Sequence, residues 1–261
     1  MKVVEKMTKG NEEITAKQIQ KVFATNYKEN VSLTTIRRMR RKLGRKQQKV
    51  RHYPVISNGN KDKRVLQAQK WMRSRERFND VIFTDQTTIT LERFPGQALK
   101  QKDHLPIKNP LQVHVWAAIS RRGAGPLVIF EGTMDKDFFT KNIVDNSLAP
   151  YIRKYWASGH RLFQANTARH VATGDYLEHC GINWERTPPQ SPEFNMMKSV
   201  WGKLKLYIST TAKPKSKQQL IRAIEDFWNE VLMVEMCNES IDSLYKVLPV
   251  IVHRRGQPTG L

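Results

Sequence analysis

"VIFTDQTTITLE", residues 81–92, decides how the chain is read. Val81, Ile82 and Phe83 form a short apolar run that closes on Thr84 and Asp85, and "TITLE" at 88–92 resumes as strand material. β-Branched and aromatic runs of this length read as strands. Two more follow, "VHVWAAIS" at 113–120 and "PLVIFEG" at 126–132, with "GAG" at 123–125 between them as a hairpin turn. Residues 136–157 read as helix, 161–165 as strand, 171–180 as helix and "INWE" at 182–185 as a short strand. A proline-rich loop, "TPPQSPEFN", precedes a helix over about 196–209 and two more over about 216–234 and 236–248. Antiparallel strands followed by strand, helix, strand, helix predict an α/β fold, a mixed sheet flanked by helices.

The residues before the sheet have a different composition. Ile19, Val22 and Phe23 line one face of a predicted helix, and a polar turn at 27–30 follows. Ser32 then has the position of an N-cap, Ile36, Met39 and Leu43 share one face, and Gly44 falls where a helix ends. This predicts a small all-α helix-turn-helix region over residues 1–45. Its second helix carries Arg37, Arg38, Arg40, Arg41 and Lys42, with Ser32, Thr34 and Thr35 at its start and Arg45 and Lys46 just beyond. In such motifs the start of the recognition helix reaches base edges while nearby cations hold phosphates, so these ten residues are the candidate DNA contacts. The same residues also fit a solvated basic face or a nuclear-import signal. Residues 46–62 read as a basic linker, a short helix over about 63–75 leads into the body, and the body spans 63–261.

Charge supports a polyanionic partner. Lys and Arg number 45 against 24 Asp and Glu, a formal net charge of +21 in 261 residues. A membrane surface fits less well, because no long apolar run or basic amphipathic anchor is present. Cys180 and Cys237 stand far apart and make neither a disulfide framework nor a zinc cluster. The first eighteen residues lack the apolar core of a secretory signal, so a reducing compartment is expected.

Asp85 at a strand end is where two-metal nucleases keep one ligand, although capping the next turn is the commoner use of such a residue. Together with "VHVWAAISRRGAGPLVIFEGTM", "FQANTARH", "INWERTPPQSPEFNMMKSVWGKLKLYI" and "KVLPVIVHRRGQPTG", the opening stretch resembles the Tc1/mariner-type transposases of the DDE superfamily, from about Ile14 to the end. The resemblance implies a helix-turn-helix DNA-binding region, an RNase H-like catalytic domain and DNA transposition by Mg²⁺ or Mn²⁺ held on three acids. It implies double-stranded DNA as partner, a homodimer, and work in the nucleus.

Carried onto this chain, the acid pattern is broken. The first acid falls on Asp85, with Gln86 where glutamate is usual; the second falls on Ala165 and the third on Lys198. Gln164, Asn166 and His170 remain around the second position, with Ala168 in place of a proline. Ser191, Pro192, Asn195 and Trp201 remain around the third, while Glu193, Met196 and Ser199 depart. The interval between the two positions is about two residues short. Only one of the two family helix-turn-helix units is recognisable.

Three carboxylates would carry −3, whereas Asp85 and Lys198 sum to zero. Mg²⁺ demands octahedral oxygen ligands, so no resident cofactor is expected, with Asp85 at most a remaining metal ligand. The chain is expected to bind DNA without cutting it. The alternatives are an active enzyme whose metal site is rebuilt from Asp175, Glu178 or Glu193, and a domesticated chromatin or transcription regulator. An ion pair between Lys198 and Asp85 is the expected fate of the emptied site, and His170 is read as satisfied by backbone or by Asn166.

Overall fold

The computed structural model describes residues 2–10, 14–44, 55–91, 111–164 and 173–260. The chain divides into two compact units, Met1–His52 and Tyr53–Leu261.

The first unit holds three helices: α1 (Lys2–Gly10), α2 (Ala16–Asn26) and α3 (Leu33–Lys42). Helix α2 starts at a capping box, in which the Thr15 hydroxyl accepts from Gln18 N at 3.2 Å and Gln18 Oε1 accepts from Thr15 N at 2.7 Å. Ser32 caps α3 as expected, accepting from Thr35 N, and Gln20 donates to Val31 O at 2.9 Å to fix the intervening turn. Helix α1 was not expected from the sequence. It supplies Val4 to a small core with Ile19, Phe23 and Ile36, which two helices would leave half open.

The second unit begins earlier than the sequence predicts. Ser57 caps a helix, α4, over Asn58–Arg73, so residues 58–62 are helix and not linker. Its buried face is Arg64, Ala68 and Trp71, while Leu66 and Met72 point outward.

Strands β1 (Val81–Thr90), β2 (Gln112–Ser120), β3 (Gly123–Phe130), β4 (Arg161–Gln164) and β5 (Trp184–Arg186) form one sheet in the order β3-β2-β1-β4-β5. β1–β2 and β2–β3 are antiparallel; β1–β4 and β4–β5 are parallel. Between β3 and β4 lies α5, a continuous helical segment of Lys136–Phe138, Phe139–Leu148 in wider turns, and Ala149–Tyr155. Helix α6 (Gly174–His179) joins β4 to β5. Then come α7 (Met197–Tyr207), α8 (Lys217–Asp226) and α9 (Val234–His253).

The glycines at 123–125 are not the turn of the hairpin. Ser120 pairs with Gly123, so Arg121 and Arg122 make a two-residue turn and the glycines open β3. Gly123 has φ 109°, a conformation that suits glycine at this position. Pro126 is tolerated because β3 is an edge strand.

Both faces of the sheet are buried, and the side-chain period of two sorts residues between them. Val81, Phe83, Val113, Val115, Ala117 and Phe163 pack toward α4, α7, α8 and α9. Ile82, Trp116, Ala118 and Leu162 pack toward α5 and α6. Trp71 anchors the first layer, with Phe78, Phe163 and Phe194 at 5.2, 5.4 and 5.1 Å between ring centroids. Such aromatic pairs add about 0.5–1.5 kcal/mol each beyond their area.

Candidate functional site

Asp85 follows Val81 and Phe83 on alternate positions of β1, so it faces the α7 layer at the end of the buried run. There it lines a cavity of about 320 Å³ with Phe83, Phe163, Gln164, the proline-rich loop and Lys198. Trp201 Nε1, one turn into α7, donates to Asp85 Oδ2 at 3.1 Å. Burial pushes the Asp85 carboxyl above the usual carboxylate range, against the Trp201 hydrogen bond, the Gln86 backbone and the more distant charge of Lys198. The expected Lys198–Asp85 ion pair is not formed: Lys198 sits exposed in the first turn of α7, and the indole occupies the carboxylate instead.

The loop before α7 is held on three sides. Asn195 Oδ1 accepts from Met197 N at 3.1 Å, and its Nδ2 donates to Thr84 O at 3.3 Å, which ties the start of α7 to β1 beside Asp85. Gln190 accepts from Asn60 Nδ2 at 3.0 Å and donates to Val55 O at 3.1 Å. Arg64, fully buried, reaches Glu193 Oε2 at 2.9 Å, Gln190 O at 2.7 Å and Gly256 O at 2.9 Å. Glu193 also accepts from Thr259 N at 3.2 Å. Burial acts to raise the Glu193 carboxyl, but the Arg64 hydrogen bond and charge win and hold it below its ordinary value. Glu193 is therefore committed to architecture.

Asp175 and Glu178 lie exposed on α6. Among the described residues no group of three His, Cys, Asp or Glu side chains converges. Among the described residues the charged groups at the cavity are thus one carboxylate already bonded to an indole and an ammonium in the neighbouring helix. They do not fit a two-metal centre. Ala165, Asn166 and His170 lie outside the described residues, although an alanine at 165 brings no side-chain ligand. Gln164 is buried, with neither end of its amide hydrogen-bonded.

On α3, Thr34, Arg37, Arg38, Arg41 and Lys42 are exposed. Arg40 is not: it lies four residues after Ile36, on the core face, with 9% exposure and its Nε unpartnered. It is removed from the candidate contacts, and the period of the helix gives the reason. Ser32 Oγ and Thr35 Oγ1 lie 2.9 Å apart within the cap. Arg45 and Lys46 lie outside the described residues. Sequence reasoning missed Trp201 as the partner of Asp85 and missed Arg64. The second left a signal, a cation at the i position of the apolar row Arg64, Ala68, Trp71.

Strand order, the placement of Asp85 and the helix behind it make this a mixed α/β scaffold with a carboxylate at the end of its buried central strand run. A family model for the DDE superfamily endonucleases matches residues 80–221, and the chain belongs to that superfamily, in its Tc1/mariner branch. The Tc3 transposase of Caenorhabditis elegans is 25% identical over 225 residues, covering 81% of this chain and 66% of that protein. The Tcb1 transposase of Caenorhabditis briggsae is 23% identical over 149 residues, covering 56% of this chain and 54% of that protein. The chain thus spans between about half and two thirds of these relatives. The Mos1 mariner paired-end complex with Mn superposes with a TM-score of 0.72 at 15% identity, over 97% of this chain and 78% of that one. The Mos1 catalytic domain alone gives 0.62 at 11% identity, over 80% of this chain and 99% of that one. The likeness shows a shared RNase H-like fold.

Proposed function

We propose that this chain is a transposase-derived protein that binds duplex DNA through α3 and does not cut it. The observation that carries the reading is the pair of charged groups at the cavity, Asp85 bonded to Trp201 and lysine at 198, together with alanine at 165 in the sequence. In two-metal phosphoryl transfer the ions activate the attacking oxygen and clamp the leaving one, and each ion needs oxygen ligands. Here the residues supply one carboxylate and repel a cation from the position of the third acid. What they retain is a packed strand end, held by Asn195, Trp201 and Arg64.

DNA association is supported by the net charge, by the exposed cations of α3 and by kinship with transposases. The start of α3, with Thr34, would face base edges, and Arg37, Arg38, Arg41 and Lys42 would face phosphates. Pairing of two copies on DNA belongs to the same reading, supported by the paired-end complexes solved for Mos1. So does residence in the nucleus, where such a substrate lies.

The test of the binding half is salt dependence. Arg37→Gln with Arg41→Gln is expected to weaken binding to duplex DNA and to make the slope of log K against log salt shallower by about 1 per lost phosphate contact. Arg40→Gln is expected to leave that slope unchanged, because Arg40 is buried. Unchanged affinity and slope in the double variant would remove α3 from the DNA interface.

A further inference from the structure

The sheet has a second chemically loaded end, opposite the cavity. There the end of α4, the start of β1, the β2–β3 turn and the end of α5 meet. Arg73, Arg75 and Arg77 follow one another in alternation and are all exposed, as is Arg122 in the turn. Arg121 ties the turn to the segment after α4: its Nε donates to Arg77 O at 3.1 Å, and its Nη2 donates to the Tyr245 hydroxyl, which itself donates to Glu76 O at 3.0 Å.

The carboxylates of this end are already engaged. Asp80 grips Arg161 with both oxygens, at 2.6 and 2.8 Å, and Glu76 and Glu185 add contacts at 3.1 Å each. Asp242 holds Arg121 at 2.6 Å. Arg161 and Arg121 therefore absorb the acids, and among the described residues Arg73, Arg75, Arg77 and Arg122 have no carboxylate partner. Arg122 lies over the Trp156 ring at 4.0 Å and donates to the backbone carbonyl of Tyr155, which is 48% exposed, while Tyr245, 43% exposed, lies beside Arg121.

We infer that this end of the body is a second phosphate-binding surface, built for the backbone of duplex DNA. Three observations support it. Four of the cations without a carboxylate partner here, Arg73, Arg75, Arg77 and Arg122, are arginine, whose planar fork matches a phosphate, and the exposed Lys154 over the Tyr155 ring adds a further charge. The backbone that presents them is fixed before any ligand arrives. Arg75 and Phe78 hold left-handed φ of 49° and 56°, Phe78 N donates to Glu76 Oε1 at 2.8 Å, and Glu76 N donates to Trp71 O at 3.0 Å. The aromatic rings are also committed: Tyr245 leans on Phe78 at 6.2 Å and Tyr155 on Tyr151 at 5.3 Å. Each ring is thus packed against one neighbour, and what this end chiefly offers is phosphate contact from its arginines, which favours the duplex. The surface is separate from the cavity and does not depend on whether the cavity cuts.

The test uses the full chain carrying Arg73→Gln, Arg75→Gln and Arg77→Gln, and a fluorescent duplex titrated across a salt series. If each arginine meets a phosphate, the slope of log K against log salt becomes shallower by about 3, and the same decrement appears on top of the Arg37→Gln/Arg41→Gln background. The triple Arg→Lys variant is expected to restore most of the slope, which a folding defect would not allow. A slope unchanged by the triple Gln variant, with the α3 variant still weakened, overturns this surface and leaves the α3 reading standing. Loss of slope on single-stranded RNA but not on duplex DNA overturns the choice of partner.

Discussion

Arg64→Met is expected to lower the unfolding free energy of the body by about 3–5 kcal/mol, the range for breaking a buried pair from one side. Arg64 is fully buried and the Glu193 side chain is 15% exposed. The methionine fills the stem's volume but leaves the carboxylate without its cation, and it leaves Gln190 O and Gly256 O without a donor. Of the two segments, that of Gln190 keeps a second tie to α4 through Asn60 Nδ2. The pH dependence follows from the direction of the Glu193 shift. In the native chain its folded value lies below the ordinary 4.5, so the pair's contribution is fully present above that value and is lost as pH falls through the folded one. In the variant, burial, the largest influence, raises the carboxyl against only the backbone hydrogen bonds from Thr259 and Glu193 itself, so the variant gains relative stability as pH falls. Urea unfolding at about pH 7 and about pH 4 should show a wide gap between the two proteins at the first and a narrower one at the second. A loss below about 1 kcal/mol at neutral pH would mean that the pair contributes no more than a surface salt bridge does.

Gly256→Ala is expected to cost about 3 kcal/mol, combining overpacking with a left-handed backbone. Gly256 has φ 76°, and a Cβ there would stand 2.4 Å from Lys61 O and 2.7 Å from Lys61 Cα. These are backbone atoms of α4, which cannot swing aside as a side-chain tip would. The chain contains its own control: Gly44 has φ 71° with nothing within 4 Å of the same position. Gly44→Ala should therefore show the backbone penalty alone, about 1 kcal/mol. Paired thermal melts read the difference, and equal losses would show that the close approach to Lys61 is relieved by a small shift of the tail.

Local pattern made the sheet legible and left the contacts between distant segments hidden. The apolar run at 81–83, the two runs of the hairpin and the strand at 161–164 could be read because side chains alternate between two buried layers. One strand was read as two. Gln86 and Thr87 look like a break, yet they pair with Trp116 and Val115, and the partner strand carries β1 through. The glycines at 123–125 drew the turn two residues too late, since a two-residue turn can be made of arginines when glycine follows it.

In the first unit, Arg40 looked like its arginine neighbours in composition and differs from them only by angular position on α3. Helix α1 has no strong cap and few apolar residues, so only its packing reveals it. At the candidate site, the missing acids were visible as an alanine and a lysine. The Trp201–Asp85 bond and the Arg64–Glu193 pair were not, because each joins residues more than a hundred positions apart.

The central claim concerns chemistry at Asp85, and a cleavage assay tests it most directly. Supercoiled plasmid is incubated with the full chain and Mn²⁺, beside the Asp85→Asn variant, and the topological forms are separated. The plasmid is expected to stay closed and circular with both proteins. Metal-dependent nicking by the native chain that Asp85→Asn abolishes would contradict it.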